Sequence, residues 1–380
     1  MSTTNTKQIF IVSGGTGGHI IPAVCLARLL QQQGNNISFF GDNKISSYLN
    51  SRDTFFNKTI SSAKITKSFL QLVVATCKII YGILQCYYFI ASKSPNVIIA
   101  FGGYASFPML FAAVLAGKKI ILHEQNAHLG KVNRLFARFA YKIATSFPNT
   151  SGLKEQQKAC YVGNPIRPEI AMLYSKDYIL PENELPNTAM GYPVLLNSDF
   201  YIRQEKIKIL ILGGSGGAKI FSDILPKAFF NLPDYLKKSI CITQQCRKDL
   251  LDSTIEQYKS LNIDVVASSF FGDMQNILEQ THLVIARAGA SSLFEFCAAK
   301  KPMILVPFAL SADNHQQKNA DYMAKNGAAL VVQESDFTIK NISDILIDLL
   351  QNQQNLYQMS KNSANLAKID ATILLAKLID

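Results

Sequence analysis

Residues 8–34, QIFIVSGGTGGHIIPAVCLARLLQQQG, and residues 206–232, KIKILILGGSGGAKIFSDILPKAFFNL, decide the fold. Each runs from a short apolar strand through a glycine-rich turn into a helix, and in the first the strand ends at Ser13 and Gly34 closes the helix. Between and after them, 96–101 (NVIIAF), 118–124 (KKIILHE), 263–268 (IDVVAS), 282–288 (HLVIARA) and 302–308 (PMILVPF) are further strands alternating with helical segments. That alternation is the α/β signature of a parallel sheet, written twice. The expected architecture is therefore two Rossmann-like, doubly wound parallel-sheet domains facing a cleft. The prolines and glycine of 162–170 place the boundary, giving domains 1–164 and 165–364, with a helical tail of about 365–380 crossing back to the first. Residues 172–205, rich in Pro and Asn, read as an irregular insertion.

At 380 residues the chain is long enough for two cores. Seven scattered cysteines without a C-x-x-C fit neither a disulfide framework nor a zinc site and point to a reducing compartment. The start, MSTTNTKQ, lacks the features of an export signal. The net charge of +11 is concentrated: residues 54–154 hold twelve Lys and Arg against one acid, Glu124. Such a field attracts a polyanion or an anionic membrane. Nucleic acid is the weaker choice, because no zinc-finger, RNA-recognition or basic-zipper pattern is present. In 69–91, FLQLVVATCKIIYGILQCYYFIA, the apolar run is interrupted only by a polar line that repeats every seven residues, Lys64, Gln71, Lys78, Gln85, Ser92. Lys78 at a bilayer centre argues against spanning, so the segment is expected to lie in the headgroup region or in the domain.

A glycine-rich turn between strand and helix offers backbone N–H groups and a helix dipole to a phosphate. The first loop could alternatively belong to a nicotinamide oxidoreductase, with Asp42 as the ribose-binding acid, although G-G-T-G-G-H is not G-x-G-x-x-G. His19 ends that loop where an imidazole can take a proton from a hydroxyl nucleophile. Glu124, at a strand end in 123–128 (HEQNAH), is the second candidate base, with an ion pair to a nearby cation as its bland alternative. His123 and His128 could serve zinc, but no further ligand cluster accompanies them. Gly102, Gly103 and Tyr104 form a third glycine turn, assigned to the acceptor. Arg287 stands at a strand end beside a small-residue helix start suited to a diphosphate, and Glu295 about one turn in could hold ribose hydroxyls.

The ordered motifs GGTGGHIIPA, FGGYASFP, HEQNA, VGNPIR, GGSGGA, FFGDM, RAGASSLFE and NHQQKNA resemble those of the bacterial family that adds N-acetylglucosamine to undecaprenyl-pyrophosphoryl-muramoyl-pentapeptide. The resemblance spans about Ile9 to Ala329. It implies a GT-B fold and an inverting transfer from UDP-N-acetylglucosamine that needs neither metal nor cofactor. The 4-hydroxyl of lipid I would be the acceptor and lipid II the product, for peptidoglycan synthesis on the cytoplasmic face of the inner membrane. Cell-wall and division proteins would be partners. It also implies that Thr16, Gly17, Gly18, Asn126 and Arg167 lie at the donor, that Ser215 touches the nucleotide, and that Phe271 meets uracil through its backbone. Ala290, Ser291, Ser292, Leu293, Phe294 and Glu295 would hold diphosphate and ribose, Gln316 the sugar, and His19 would be the base. Departures are Gly216, Ala288 and Gly272, and a sparse 61–68 (SSAKITKS) where a glycine- and arginine-rich loop is usual. A non-catalytic sugar-nucleotide-binding scaffold is the remaining alternative.

Overall fold

The computed structural model describes residues 6–51, 53–63, 69–181, 206–214 and 216–380. Lys64, Lys67, Ser215 and most of the 172–205 insertion lie outside them.

Among the described residues thirteen strands form two sheets whose ladders are all parallel. The first holds β1 (Gln8–Ser13), β2 (Asn36–Gly41), β3 (Phe56–Thr59), β4 (Val97–Ala100), β5 (Ile120–Glu124), β6 (Lys142–Thr145) and β7 (Ala159–Tyr161), in the order β3-β2-β1-β4-β5-β6-β7. The second holds β8 (Ile207–Leu212), β9 (Ile240–Gln245), β10 (Asp264–Ser268), β11 (Leu283–Ala286), β12 (Met303–Leu305) and β13 (Ala329–Val331), in the order β10-β9-β8-β11-β12-β13. Both orders reverse beside their first strand, at β1/β4 and β8/β11. In open α/β sheets that is where the loops part and a ligand crevice opens at the carboxyl ends of the strands.

The central strands β1, β4 and β11 are buried along almost their whole length because helices cover both faces, which is why they read as unbroken apolar runs. Core clusters sit on each side of each sheet. One cluster of the second lobe also takes in Ala127 and Phe147 of the first, with Phe147 packed edge-on against Phe294, so the lobes share a dry contact at the base of the cleft. The chain returns at its end: helix Ala371–Lys377 places Leu375 and Ala376 in the core of the first lobe, and Ile379 just after it joins them.

Helix Phe69–Lys93 touches the body along a narrow stripe, Ala75, Gly82, Cys86 and Ile90. A Cβ on Gly82 would meet the Ser61 carbonyl at 1.9 Å, which is why the crossing point carries glycine. The opposite face is apolar and exposed: Val73, Val74, Ile80, Tyr81, Leu84 (63%), Tyr87 and Tyr88 (67%), continued by Phe111 and Leu115 on helix Phe107–Leu115. Of the polar line, Gln71, Lys78 and Ser92 reach solvent, whereas Gln85 turns inward and accepts from Ser61 N at 3.1 Å.

Candidate active site between the lobes

Two helices begin side by side where the lobes meet. Helix Gly17–Gln32 begins after Thr16 and helix Ala290–Ala298 after Gly289, and neither has a side-chain cap on its first amides. Their contact has a covalent origin. Pro22 lacks the N–H that would bond the Gly18 carbonyl four residues back, and that carbonyl instead accepts the Ser291 hydroxyl of the other lobe at 2.9 Å. Asn164 Nδ2 reaches Ser291 Oγ at 3.4 Å from the side. Two converging positive helix ends make a cradle for a diphosphate.

His19, half-buried in the first helical turn, has Nδ1 2.8 Å from the Phe101 carbonyl and 3.0 Å from Gln125 Oε1. Both are acceptors, so Nδ1 carries the proton and Nε2 keeps its lone pair. Behind it, Gln125 Nε2 donates to Phe101 O and lies 3.1 Å from His123 Nδ1, and His123 Nε2 lies 3.3 Å from Gly163 O. Burial pushes the His123 pKa down to about 4, so this ring is neutral and serves the network as a fixed dipole. Gly103 lets the third glycine loop close over the first: at φ +78°, a Cβ there would sit 2.6 Å from Gly14 O and 3.9 Å from His19 Cδ2.

Glu124 corrects the expectation of a second base. It is 1% exposed, and its oxygens accept four hydrogen bonds: Asn126 N (3.0 Å) and Nδ2 (3.1 Å) at Oε1, Gly130 N (2.9 Å) and Asn133 Nδ2 (2.9 Å) at Oε2. A carboxylate with all four lone-pair positions taken by amide donors organises a loop. Its donors are amides, so the ion-pair alternative fails as well. The task of Glu124 is to hold Asn126, whose Oδ1 accepts from Asn319 Nδ2 (3.1 Å) across the cleft, while Asn319 Oδ1 accepts from Ala127 N (2.8 Å).

Asp42 is likewise occupied. It accepts Gly15 N (2.7 Å), Tyr104 OH (3.0 Å) and Lys44 N (3.1 Å), clamping the first and third glycine loops together, which is not the open acid that a nicotinamide ribose needs.

In the second lobe Glu295 is 5% exposed and forms a bidentate pair with Arg167, Nε to Oε1 and Nη2 to Oε2 both 2.7 Å. It is thus no exposed helix residue, and each oxygen keeps lone-pair capacity beside its guanidinium bond. Arg287 departs from expectation: its guanidinium bonds Glu334 Oε1 (2.6 Å) and the carbonyls of Val306 (3.0 Å) and Pro307 (3.4 Å), between the rings of Phe221 and Phe308. It braces the 306–309 segment and offers these donors to protein, not to a diphosphate. Glu334 Oε2 accepts Ala309 N in the same brace. The Leu293 and Phe294 side chains are core, so only their backbone can meet a ligand, while Ala290 and Ser292 flank Ser291 in the first turn. Gln316 Oε1 accepts Phe308 N at 2.9 Å. Phe271 is half-buried in the turn between β10 and helix Met274–Gln280. Among the described residues no group of three or more His, Cys, Asp or Glu could hold a metal ion. Gln125, Asn319 and Glu334 had no assigned role in the sequence. The first two stand inside the motifs HEQNA and NHQQKNA, which was the available signal.

Residues 9–145 match the glycosyltransferase family 28 N-terminal domain and residues 208–373 the glycosyltransferase family 28 C-terminal domain. The UDP-N-acetylglucosamine–N-acetylmuramyl-(pentapeptide) pyrophosphoryl-undecaprenol N-acetylglucosamine transferase of Wolbachia pipientis subsp. Culex pipiens (strain wPip) is 37% identical over 356 residues, covering 93% of each chain. The transferase of the same name from Caulobacter vibrioides (strain NA1000 / CB15N) is 30% identical over 378 residues, covering 99% of each. The crystal structure of Acinetobacter baumannii MurG superposes with a TM-score of 0.75 at 26% identity, covering 98% of this chain and 99% of that one. No support remains for the oxidoreductase alternative, and the chain belongs to glycosyltransferase family 28, in its branch of UDP-N-acetylglucosamine–N-acetylmuramyl-(pentapeptide) pyrophosphoryl-undecaprenol N-acetylglucosamine transferases.

Proposed function

We propose that this chain transfers N-acetylglucosamine from UDP-N-acetylglucosamine to the 4-hydroxyl of the muramoyl sugar of lipid I, giving lipid II. The observation that carries the reading is the His19 imidazole, held by Phe101 O and Gln125 with Nε2 left as acceptor, beside two converging helix N-termini. The acceptor hydroxyl gives its proton to Nε2 while its oxygen bonds the anomeric carbon. The bond from that carbon to the β-phosphate oxygen breaks on the opposite face, its electron pair leaving with uridine diphosphate and the configuration inverting. The negative charge that grows on the leaving group meets the two helix dipoles, oriented before the reaction begins. Thr16, Gly17 and Gly18 on one side and Ala290 to Ser292 on the other hold the diphosphate. Glu295, aligned by Arg167, takes ribose hydroxyls, Phe271 the base, and Asn126 and Gln316 the sugar. Ser215 belongs to the nucleotide contacts.

The exposed apolar face of helix Phe69–Lys93, with Phe111, Leu115 and Lys78, rests on the anionic cytoplasmic leaflet of the inner membrane, where the lipid acceptor resides, and the protein is peripheral to it. Cell-wall synthesis and division proteins are its neighbours there.

Radiolabelled donor incubated with lipid I and purified protein should yield a disaccharide lipid. Donor binding with no transfer, by a folded protein, would return the chain to the scaffold alternative.

A further inference from the structure

The lobes also meet outside the donor groove, where helix Lys131–Phe136 faces helix His315–Lys325. His128 stands there with Ser151 Oγ and Lys318 Nζ each 2.9 Å from Nδ1, and with Arg134 Nη1 3.4 Å from Nε2. A neutral imidazole has one lone pair and one N–H. With the lone pair on Nδ1 it accepts from Lys318 and its Nε2–H confronts the guanidinium. With the lone pair on Nε2, the Nδ1–H confronts the ammonium. Either tautomer leaves one cation against an N–H, and Ser151, which also takes Lys318 Nζ at 3.3 Å, cannot relieve both. Burial, then Lys318 and Arg134, hold the His128 pKa below its usual value, against the opposing pull of Asp313 and Glu124, so proton uptake does not resolve the conflict. Asp313, 3.4 Å from Arg134 and 3.8 Å from Lys131, is one carboxylate among three cations. The cluster is short of acceptors and positive in charge, which is what an oxyanion would complete.

Its position suggests which one. Asn126 and Gln316 of the donor groove precede His128 and Lys318 by two residues each. On its other flank, rings run Phe139–Phe136–Phe107–Phe111 from helix Lys131–Phe136 toward the exposed apolar face. An acceptor with its lipid on that face and its sugar in the groove passes the joining diphosphate between them.

We infer that Lys131, Arg134, His128 and Lys318 form an oxyanion subsite for the acceptor. The path favours the diphosphate, and a peptide carboxylate shares the same chemistry. The inference rests on the transfer reaction proposed above. The test uses the full chain and a water-soluble, short-chain acceptor, so that membrane docking does not enter. The double variant Lys131→Gln/Arg134→Gln, both side chains being exposed, should raise the acceptor KM about tenfold and leave the donor KM unchanged. An acceptor with amidated peptide carboxylates should show the same ratio. If amidation abolishes the ratio, the oxyanion site stands with the carboxylate as its ligand. Equal acceptor KM values for variant and wild type would overturn the inference, whereas a wild type that transfers to neither acceptor overturns the reaction instead. Independently of turnover, inorganic pyrophosphate added to protein saturated with uridine diphosphate should shift the His128 ring resonances in the wild type and not in the variant. An unmoved wild-type signal also contradicts the subsite.

Discussion

The two lobes repeat one strand order, yet they use the crevice at its reversal differently. In the first, the helix that starts there carries His19, whose outward nitrogen is set by a line of buried polar groups, Gln125, His123 and Gly163 O. In the second, the helix that meets it, Ala290–Ala298 after β11, carries core side chains, Leu293 and Phe294, and a carboxylate locked to an arginine. One lobe keeps a lone pair available for a proton; the other keeps a rigid helix end and spends its ionisable groups on bracing. The scaffold supplies the position, and what stands in the first two turns of each helix determines whether that position reacts or holds.

Breaking the first lobe's role should produce the largest effect. His19→Ala is expected to lower kcat by a factor on the order of 10²–10⁴ while the donor dissociation constant, read by titration calorimetry, stays within about threefold. A comparable loss of donor affinity would erase the distinction between the lobes. Glu295→Gln tests the other side. It leaves the Arg167 guanidinium with a neutral partner and should weaken donor binding by about 1–3 kcal/mol and lower Tm. Unchanged affinity for uridine diphosphate would remove Glu295 from the ribose site.

A smaller effect, about tenfold, is expected for Leu84→Glu/Tyr88→Glu in sedimentation with anionic vesicles, since both side chains are exposed and their loss from the membrane removes apolar burial without touching the core. Turnover of a soluble acceptor should not change. Smallest is Pro22→Ala. The restored N–H competes for Gly18 O and loosens the Ser291 bond, so donor KM should rise about two- to threefold while Tm stays level or increases. A fall in Tm with donor KM unchanged would show that Pro22 serves the helix and not the seam.

Much of this was legible in the sequence, because strand, glycine turn and helix are local patterns and both sheets follow from them. That Thr16 to His19 and Ala290 to Glu295 serve one donor was implied by the family motifs GGTGGHIIPA and RAGASSLFE. Partnership was not legible. Arg167 and Glu295 are 128 residues apart, and nothing near either announces the other. Arg287 has the right address for a phosphate, but its partner Glu334 lies 47 residues on, and the direction of a guanidinium is fixed by packing. Glu124 looked reactive because it was the lone acid in a basic stretch. Its reactivity was cancelled by short-range amides, Asn126, Gly130 and Asn133, whose aim depends on how the loop closes.

The central claim is that one sugar nucleotide is clasped by both helix N-termini at once. Amide hydrogen exchange with and without UDP-N-acetylglucosamine addresses it most directly. The account predicts slowed exchange at 17–20 and at 290–295 together, at the same donor concentration. Protection confined to 290–295, with 17–20 unaltered at saturation, would contradict it.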